Sequence, residues 1–328
     1  MHLRMTLLTL TLFLGLACGK GTYLPSSPAP IPEPTPAPVP APVLAPIQVV
    51  NGHFSQPLKG IAFCCEDALS WGWPLINEAG LDLIASIDGN WATMRLGPFT
   101  REGESPEFEA YSRTGSKYNL SEWNPLFWDR VSQLLQYATS LGITVEVDII
   151  DGWALKHPGN AKVSPWSPSM NLRGLDARGC SITHSSPLPI HVAWIKKVVQ
   201  ETGMYNVMYQ IGNETDVCSS SLEWEQTIYD LVKEELHLMG FPERSVGTGN
   251  PRSGVVADYE TWHGFGIPPV LAGGPVLINE TDNQDHSVAE YIELIKRVQA
   301  AGAEMIYWRG PHSQGQFDEM LALYKDLE

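Results

Sequence analysis

Three observations predict that residues 48–328 form a single α/β domain folded as a (β/α)8 TIM barrel. Short apolar or β-branched runs alternate with longer segments whose apolar residues recur every three or four positions, the pattern of repeated βα units over a parallel sheet. Eight such runs can be placed, and the segment holding them is close to the roughly 250 residues typical of an eight-stranded barrel. An open doubly wound sheet would instead carry a Gly-rich phosphate loop after its first strand. Cys64-Cys-Glu-Asp-Ala-Leu-Ser70 is not one.

Two segments are expected to precede the domain. Residues 1–17 open with the basic Arg4 and continue as an apolar run from Met5 to Ala17, followed by Cys18. The run is shorter than the ~20 apolar residues that span a bilayer and it ends in small residues, as a secretory signal does. Gly15-Leu-Ala-Cys18 is consistent with a lipoprotein cleavage box, which makes Cys18 the lipidation candidate; the alternative is an ordinary signal peptide cut nearby. Residues 18–47 are dominated by Pro28-Ala-Pro-Ile-Pro-Glu-Pro-Thr-Pro-Ala-Pro-Val-Pro-Ala-Pro42. Proline fixes φ and lacks a backbone donor, so this stretch should be an extended polyproline tether. The expected location is therefore outside the cytoplasm, on a surface, in the periplasm or secreted, with the membrane reached only through a lipid at the amino end.

The eight strand-like runs are Gly60–Cys65, Ala92–Gly97, Ile143–Ile150, Val207–Ile211, Ser245–Gly249, Tyr259–His263, Pro275–Asn279 and Glu304–Trp308. Helical stripes lie between them: Leu75, Ile76 and Ala79; Leu126, Val131, Leu134, Leu135 and Ala138; Val192, Ile195, Val198 and Val199; Ile228, Leu231, Val232 and Leu236; Val288, Tyr291, Ile292 and Ile295. Asn250 to Asp258 is too short for a crossover helix, so the fifth unit should be irregular. The long segment from Asp151 to Pro189, rich in Pro, Ser and Gly, is expected to wall a cleft.

The chain has 21 Lys and Arg against 37 Asp and Glu, a net charge of −16. Binding nucleic acid requires a cationic face, so that class of partner is not expected. Of the five cysteines, Cys64 and Cys65 would face opposite sides of a strand, so no bond between them is expected; a bridge between two loops, Cys180–Cys218, is the disulfide candidate in an exported protein. No C-x-x-C or H-E-x-x-H spacing supports a metal, and no cofactor is expected.

In a barrel of this kind the site lies where the strands end. Polar residues at those ends are Glu66 and Asp67, Arg95, Asp148, Asp151 with Trp153, Asn213 and Glu214, Asn250, His263, Glu280 and Asp282, Trp308 and Arg309. Two facing carboxylates over an aromatic floor suit cleavage of a glycosidic bond, one donating a proton to the leaving oxygen and the other attacking or stabilising the sugar carbon.

Met208-Tyr-Gln-Ile-Gly-Asn213-Glu214 after the fourth run, with Val276-Leu-Ile-Asn-Glu280 in the seventh, resembles the retaining glycoside hydrolases of the (β/α)8 clan A, which includes cellulases, mannanases and β-glycosidases. The resemblance implies Glu214 as acid/base, Glu280 as nucleophile and Asn213 as donor to the sugar 2-hydroxyl. It further implies that Arg95 orients the nucleophile, that His263 belongs to the site, and that Trp308 is the aromatic platform of the central subsite. Trp153 and Asp151 join these as substrate-binding candidates by position. The sequence departs from the clan pattern where His263-Gly-Phe265 replaces His-x-Tyr, where no histidine ends the third strand, and where Thr215 replaces the frequent proline. The hydroxyl that this pattern would supply is either missing here or supplied from elsewhere, with Tyr259 as the candidate.

Three functions compete on these observations. The first is a retaining β-glycosidase acting on a carbohydrate. The second is a carbohydrate-binding surface lipoprotein on an inactive barrel, and the third a structural surface protein.

Overall fold

A computed structural model describes residues 46–63, 70–71, 75–97, 108–156, 164–178, 189–215, 222–249, 255–263, 275–280, 286–309 and 314–327. The expected signal, Cys18, the tether as far as residue 45, and the Cys180–Cys218 pair lie outside the described residues; Ile47, expected to end the tether, instead belongs to the domain, since it is fully buried and its N–H donates to Thr144 Oγ1 at 3.3 Å. In chain order the first half contains β1 (Val49–Val50), β2 (His53–Phe54), β3 (Gly60–Phe63), β4 (Ser70–Trp71), β5 (Leu75–Ile76), α1 (Glu78–Ser86), β6 (Trp91–Arg95), β7 (Tyr111–Thr114), β8 (Lys117–Trp123), α2 (Pro125–Ser140), β9 (Thr144–Asp148) and α3 (Gly152–Lys156). Then follow α4 (Pro189–Thr202), β10 (Val207–Gln210), α5 (Leu222–Met239), β11 (Val246–Gly247), β12 (Glu260–His263), β13 (Val276–Glu280), α6 (Val288–Ala300), β14 (Glu304–Met305), β15 (Tyr307–Arg309) and α7 (Gln314–Lys325).

β11, β10, β9, β6, β3 and β15 lie side by side, every neighbouring pair parallel. β12, β13 and β14 form a second parallel group. Gly247 bridges Tyr259 in parallel, and the run from Glu304 to Arg309 pairs first with β13 and then with β3. All residues of β9 and β10 are buried, as parallel strands covered on both faces must be. Among the described residues no helix separates β11 from β12, in keeping with the short fifth unit.

Local chemistry explains the helix ends. Asn124 caps α2, its Oδ1 accepting from the Leu126 N–H, and Pro125 occupies the first turn, where no donor is needed. Gly142, at φ 76°, closes the far end in the left-handed region, and Ile143 N–H reaches back to the Ala138 carbonyl at 2.9 Å. Ser287 and Glu290 form a reciprocal capping box on α6.

Three features differ from the sequence expectation. Leu75 and Ile76 form strand β5, antiparallel to β4; the helix starts only after Asn77, whose Oδ1 accepts from Gly80 N–H at 2.9 Å. A stripe of three apolar positions is too short to distinguish the two periods. The antiparallel hairpin β7–β8 is inserted before α2. The long segment after Asp151 also packs: Asn171 is buried, pairs with Tyr118 of the hairpin, and its Nδ2 donates to the Ser167 and Leu175 carbonyls at 2.7 Å.

An aromatic cluster fixes this insertion to the helices. Tyr111 stacks on Trp123 at 4.7 Å, Trp128 of α2 meets Trp194 of α4 at 5.6 Å, and Trp166 meets Trp194 edge-on at 6.3 Å. Trp166 and Trp194 are fully buried, so these rings serve packing and are not available to stack on a ligand.

Candidate active site

The parallel strands deliver the candidate residues to one edge of the sheet. Arg95 ends β6 and stands in register with Asp148 at the end of β9, which is in register with Gln210 at the end of β10. Asn213 and Glu214 follow β10 directly. His263 ends β12 and is the register partner of Glu280, the last residue of β13. Trp308 lies in β15 opposite Ala62 of β3. The side chains of Glu280 and Trp308 lie outside the described part of the structure.

Glu214 has φ 48°, the left-handed region, which costs a residue with a Cβ about 1–2 kcal/mol. Such strain persists only where the surroundings impose it, and it concentrates at functional sites. Here the preceding residues impose it. Asn213 N–H donates to the Ile150 carbonyl at 2.7 Å, and Gly152 N–H donates to the Asn213 carbonyl at 2.8 Å. A Cβ on Gly212 would press on the Ile150 carbonyl and the Thr215 methyl. Thr215 is fully buried and donates to Glu225 Oε1 at 2.6 Å. The chain is thereby pinned on both sides of Glu214. Its side chain remains 19% exposed, with Oε1 3.6 Å from Nδ1 of His263.

The other candidates are distributed around this point. Arg95 Nε lies 3.3 Å from Asp148 Oδ2, a pair with little exposure. Asp151 is fully buried: its Oδ1 accepts from Ala154 N–H at 3.0 Å, capping α3, and faces Asn213 Nδ2 at 3.4 Å. It therefore supports the Asn213 strand end from within. Trp153 is half-buried on α3.

Sequence reasoning missed a polar cluster beneath this edge. Glu146, in the middle of β9, is fully buried. Its Oε1 lies 2.7 Å from Tyr259 Oη, and its Oε2 accepts from Asn279 Nδ2 at 3.0 Å. The same amide donates to Gln210 Oε1 at 3.0 Å, and Gln210 Nε2 reaches Thr261 Oγ1 at 3.2 Å. Burial pushes the Glu146 carboxyl up to about 7 despite the bonds from Asn279 and Tyr259 and the field of His263 and Arg95. Burial likewise raises the Tyr259 phenol well above its ordinary value, with Glu146 adding to the effect. The available signal was the alternation Thr144, Glu146, Asp148 on one face of a strand whose other face is Val145 and Val147. Gly247 makes room for this cluster, since a Cβ there would overlap the Tyr259 ring. Among the described residues no three His, Cys, Asp or Glu side chains gather as a metal site would need.

No family model and no curated protein matches the chain. Among solved structures, its fold resembles that of glycoside hydrolases. It matches a family 5 mannosidase from Rhizomucor miehei with a TM-score of 0.54 and 12% identity, over 87% of this chain and 97% of that one. It also matches a candidate glycoside hydrolase from Bacteroides vulgatus ATCC 8482 with a TM-score of 0.55 and 14% identity, over 83% of this chain and 56% of that one. At these identities the likeness concerns the fold.

Proposed function

We propose that the chain is a retaining β-glycoside hydrolase, built on eight parallel strands closed as a barrel. Closure is supported by the Glu304–Arg309 run, which pairs with β13 on one side and β3 on the other, and by the Gly247–Tyr259 bridge. One observation carries the functional proposal: Glu214 approaches the His263 ring from the end of β10, and His263 is the backbone register partner of Glu280, so the two glutamates belong to strand ends on either side of the same residue.

In the proposed reaction a Glu280 carboxylate oxygen bonds to the anomeric carbon as the bond to the leaving oxygen breaks and Glu214 gives that oxygen its proton. Glu214, now ionised, takes a proton from water, whose oxygen displaces Glu280 with net retention. This route requires carboxyl groups roughly 5–5.5 Å apart; a gap of about 6.5–9.5 Å would admit a water and invert the centre. Asn213 is assigned to the 2-hydroxyl, Arg95 to Glu280, Trp308 to the sugar face, and Trp153 and Asp151 to the substrate-side wall and its support. The name of the Rhizomucor structure makes β-mannosides the first substrates to try. The test is a panel of activated aryl β-glycosides assayed with Glu214→Gln and Glu280→Gln. Each change should reduce turnover by at least 10³-fold while leaving the circular dichroism spectrum intact. Full activity in either variant rejects the assignment.

A second reading is a carbohydrate-binding protein without turnover. It is favoured by Phe265, and by Tyr259, whose hydroxyl is engaged by Glu146 and the Tyr209 carbonyl. It predicts saturable binding to a glycan array with no product formed. We further propose export through residues 1–17, with residues 18–45 as a tether and Cys18 lipidated. Globomycin-sensitive processing of the full chain would test this. Among the described residues, no helix is long and apolar enough to cross a membrane.

A further inference from the structure

The Tyr259 hydroxyl has one hydrogen and two neighbours that ordinarily only accept. Its Oη is 2.7 Å from Glu146 Oε1 and 2.7 Å from the Tyr209 carbonyl oxygen. A phenol cannot donate to both, and two oxygens at that distance without a hydrogen between them repel. The conflict disappears if Glu146 carries the proton. Then Glu146 donates to Tyr259 Oη, Tyr259 donates to the Tyr209 carbonyl, and Oε2 remains the acceptor for Asn279 Nδ2. The amide orientations agree, because Gln210 Nε2 has acceptors at Gly212, Gly249 and Thr261, so its Oε1 must face Asn279.

We propose that Glu146 is held as a neutral carboxylic acid and is a positioning residue of the site above it. Uncharged, it does not compete with Asp148 for Arg95 or with Glu214 for His263, and through Asn279 it fixes the strand end that carries Glu280. This rests on the glycosidase reading of Glu214 and Glu280. Glu146 meets Tyr259 before β12 and Asn279 of β13 directly and Arg95 of β6 and His263 of β12 through their fields; behind its two partners stand the Tyr209 carbonyl and Gln210 of β10, and Asp148 lies two residues along its own strand. Its full burial favours the neutral form, in the same direction as the hydrogen-bond count. Once ionised, Glu146 would compete for Arg95 and His263 and would turn the Tyr259 hydrogen away from the Tyr209 carbonyl.

Glutamine at 146 reproduces the neutral acid, with an N–H for Tyr259 and a carbonyl for Asn279, whereas alanine removes both. Glu146→Ala should lower kcat on the order of tenfold or more with KM little changed, and Glu146→Gln should restore it. Because glutamine does not ionise, Glu146→Gln should also move the alkaline limb of the kcat–pH profile upward by about one unit or more. A second readout is independent of turnover. The infrared difference between wild type and Glu146→Gln at pH 5.5 should contain a protonated-carboxyl carbonyl band that fades on titration through neutrality. Absence of that band at acid pH, an alkaline limb unmoved in Glu146→Gln, or Glu146→Gln as impaired as Glu146→Ala each overturns the proposal. A band present while wild type hydrolyses none of the glycosides would instead reject the glycosidase reading and the positioning role with it, leaving the protonated acid established.

Discussion

Replacing Tyr259 by phenylalanine isolates one hydroxyl. The ring keeps its place over Gly247 and beside Phe54, whose centroid is 5.6 Å away, so no cavity opens. Two contacts of 2.7 Å disappear, one to Glu146 and one to the Tyr209 carbonyl, both in fully buried surroundings. Each buried bond contributes about 1 kcal/mol net, and a stranded polar partner, here Glu146, adds about 1–3 kcal/mol. The expected loss is therefore about 3–5 kcal/mol. At about 2 °C per kcal/mol for a domain of this size, Tm should fall by roughly 6–10 °C. Urea unfolding followed by tryptophan fluorescence at pH 6 would measure the loss as a lower midpoint at unchanged slope. Stability within about 0.5 kcal/mol of wild type would refute the buried network, because that change is typical of a solvated hydroxyl.

Further outcomes follow from the same geometry. The Glu146 carboxyl, ordinarily near 4.5, titrates at about 7 when folded, so the folded state retains a proton that the unfolded chain releases in between. Its contribution is complete below pH 4.5 and declines as pH rises to about 7; on going from pH 4.5 to 7.5, wild type should lose on the order of 3 kcal/mol relative to Glu146→Gln. Parallel stability curves in urea would contradict this. Gly247→Ala forces a methyl into the Tyr259 ring and should cost about 1–3 kcal/mol, read as a lower Tm with altered near-ultraviolet dichroism. Ser287→Ala removes one half of the α6 capping box and should cost about 1 kcal/mol; no change in the urea midpoint would show the cap to be inert.

Much of the fold was legible because its signals are local. The runs at Ala92–Gly97, Ile143–Ile150 and Val207–Ile211 overlap β6, β9 and β10 to within three residues, since β-branched and apolar clustering is a property of each strand alone. The position of Arg95, Asn213, Glu214, His263 and Glu280 at strand ends was legible because each follows or ends such a run. The buried cluster was not. Glu146, Gln210, Tyr259 and Asn279 are separated by up to 133 positions in the chain, and a lone polar residue inside an apolar strand reveals no partner until the register is known. Trp166 illustrates the converse, since a tryptophan in a Pro- and Ser-rich segment has the sequence context of an exposed loop, yet the β7–β8 hairpin and α4 enclose it. Whether Leu75 and Ile76 form helix or strand was decided by pairing with β4, also a long-range matter for so short a run.

The proposed reaction requires Glu280 to become covalently attached to a sugar. Incubating the protein with an activated 2-deoxy-2-fluoro-β-glycoside slows the release of such an intermediate, and peptide mass spectrometry then locates the label. One sugar per chain is expected on the peptide containing Glu280, with hydrolysis of the label slowed in Glu214→Gln. A label on another carboxylate, or turnover of the parent glycoside with inverted configuration and no label, would contradict it.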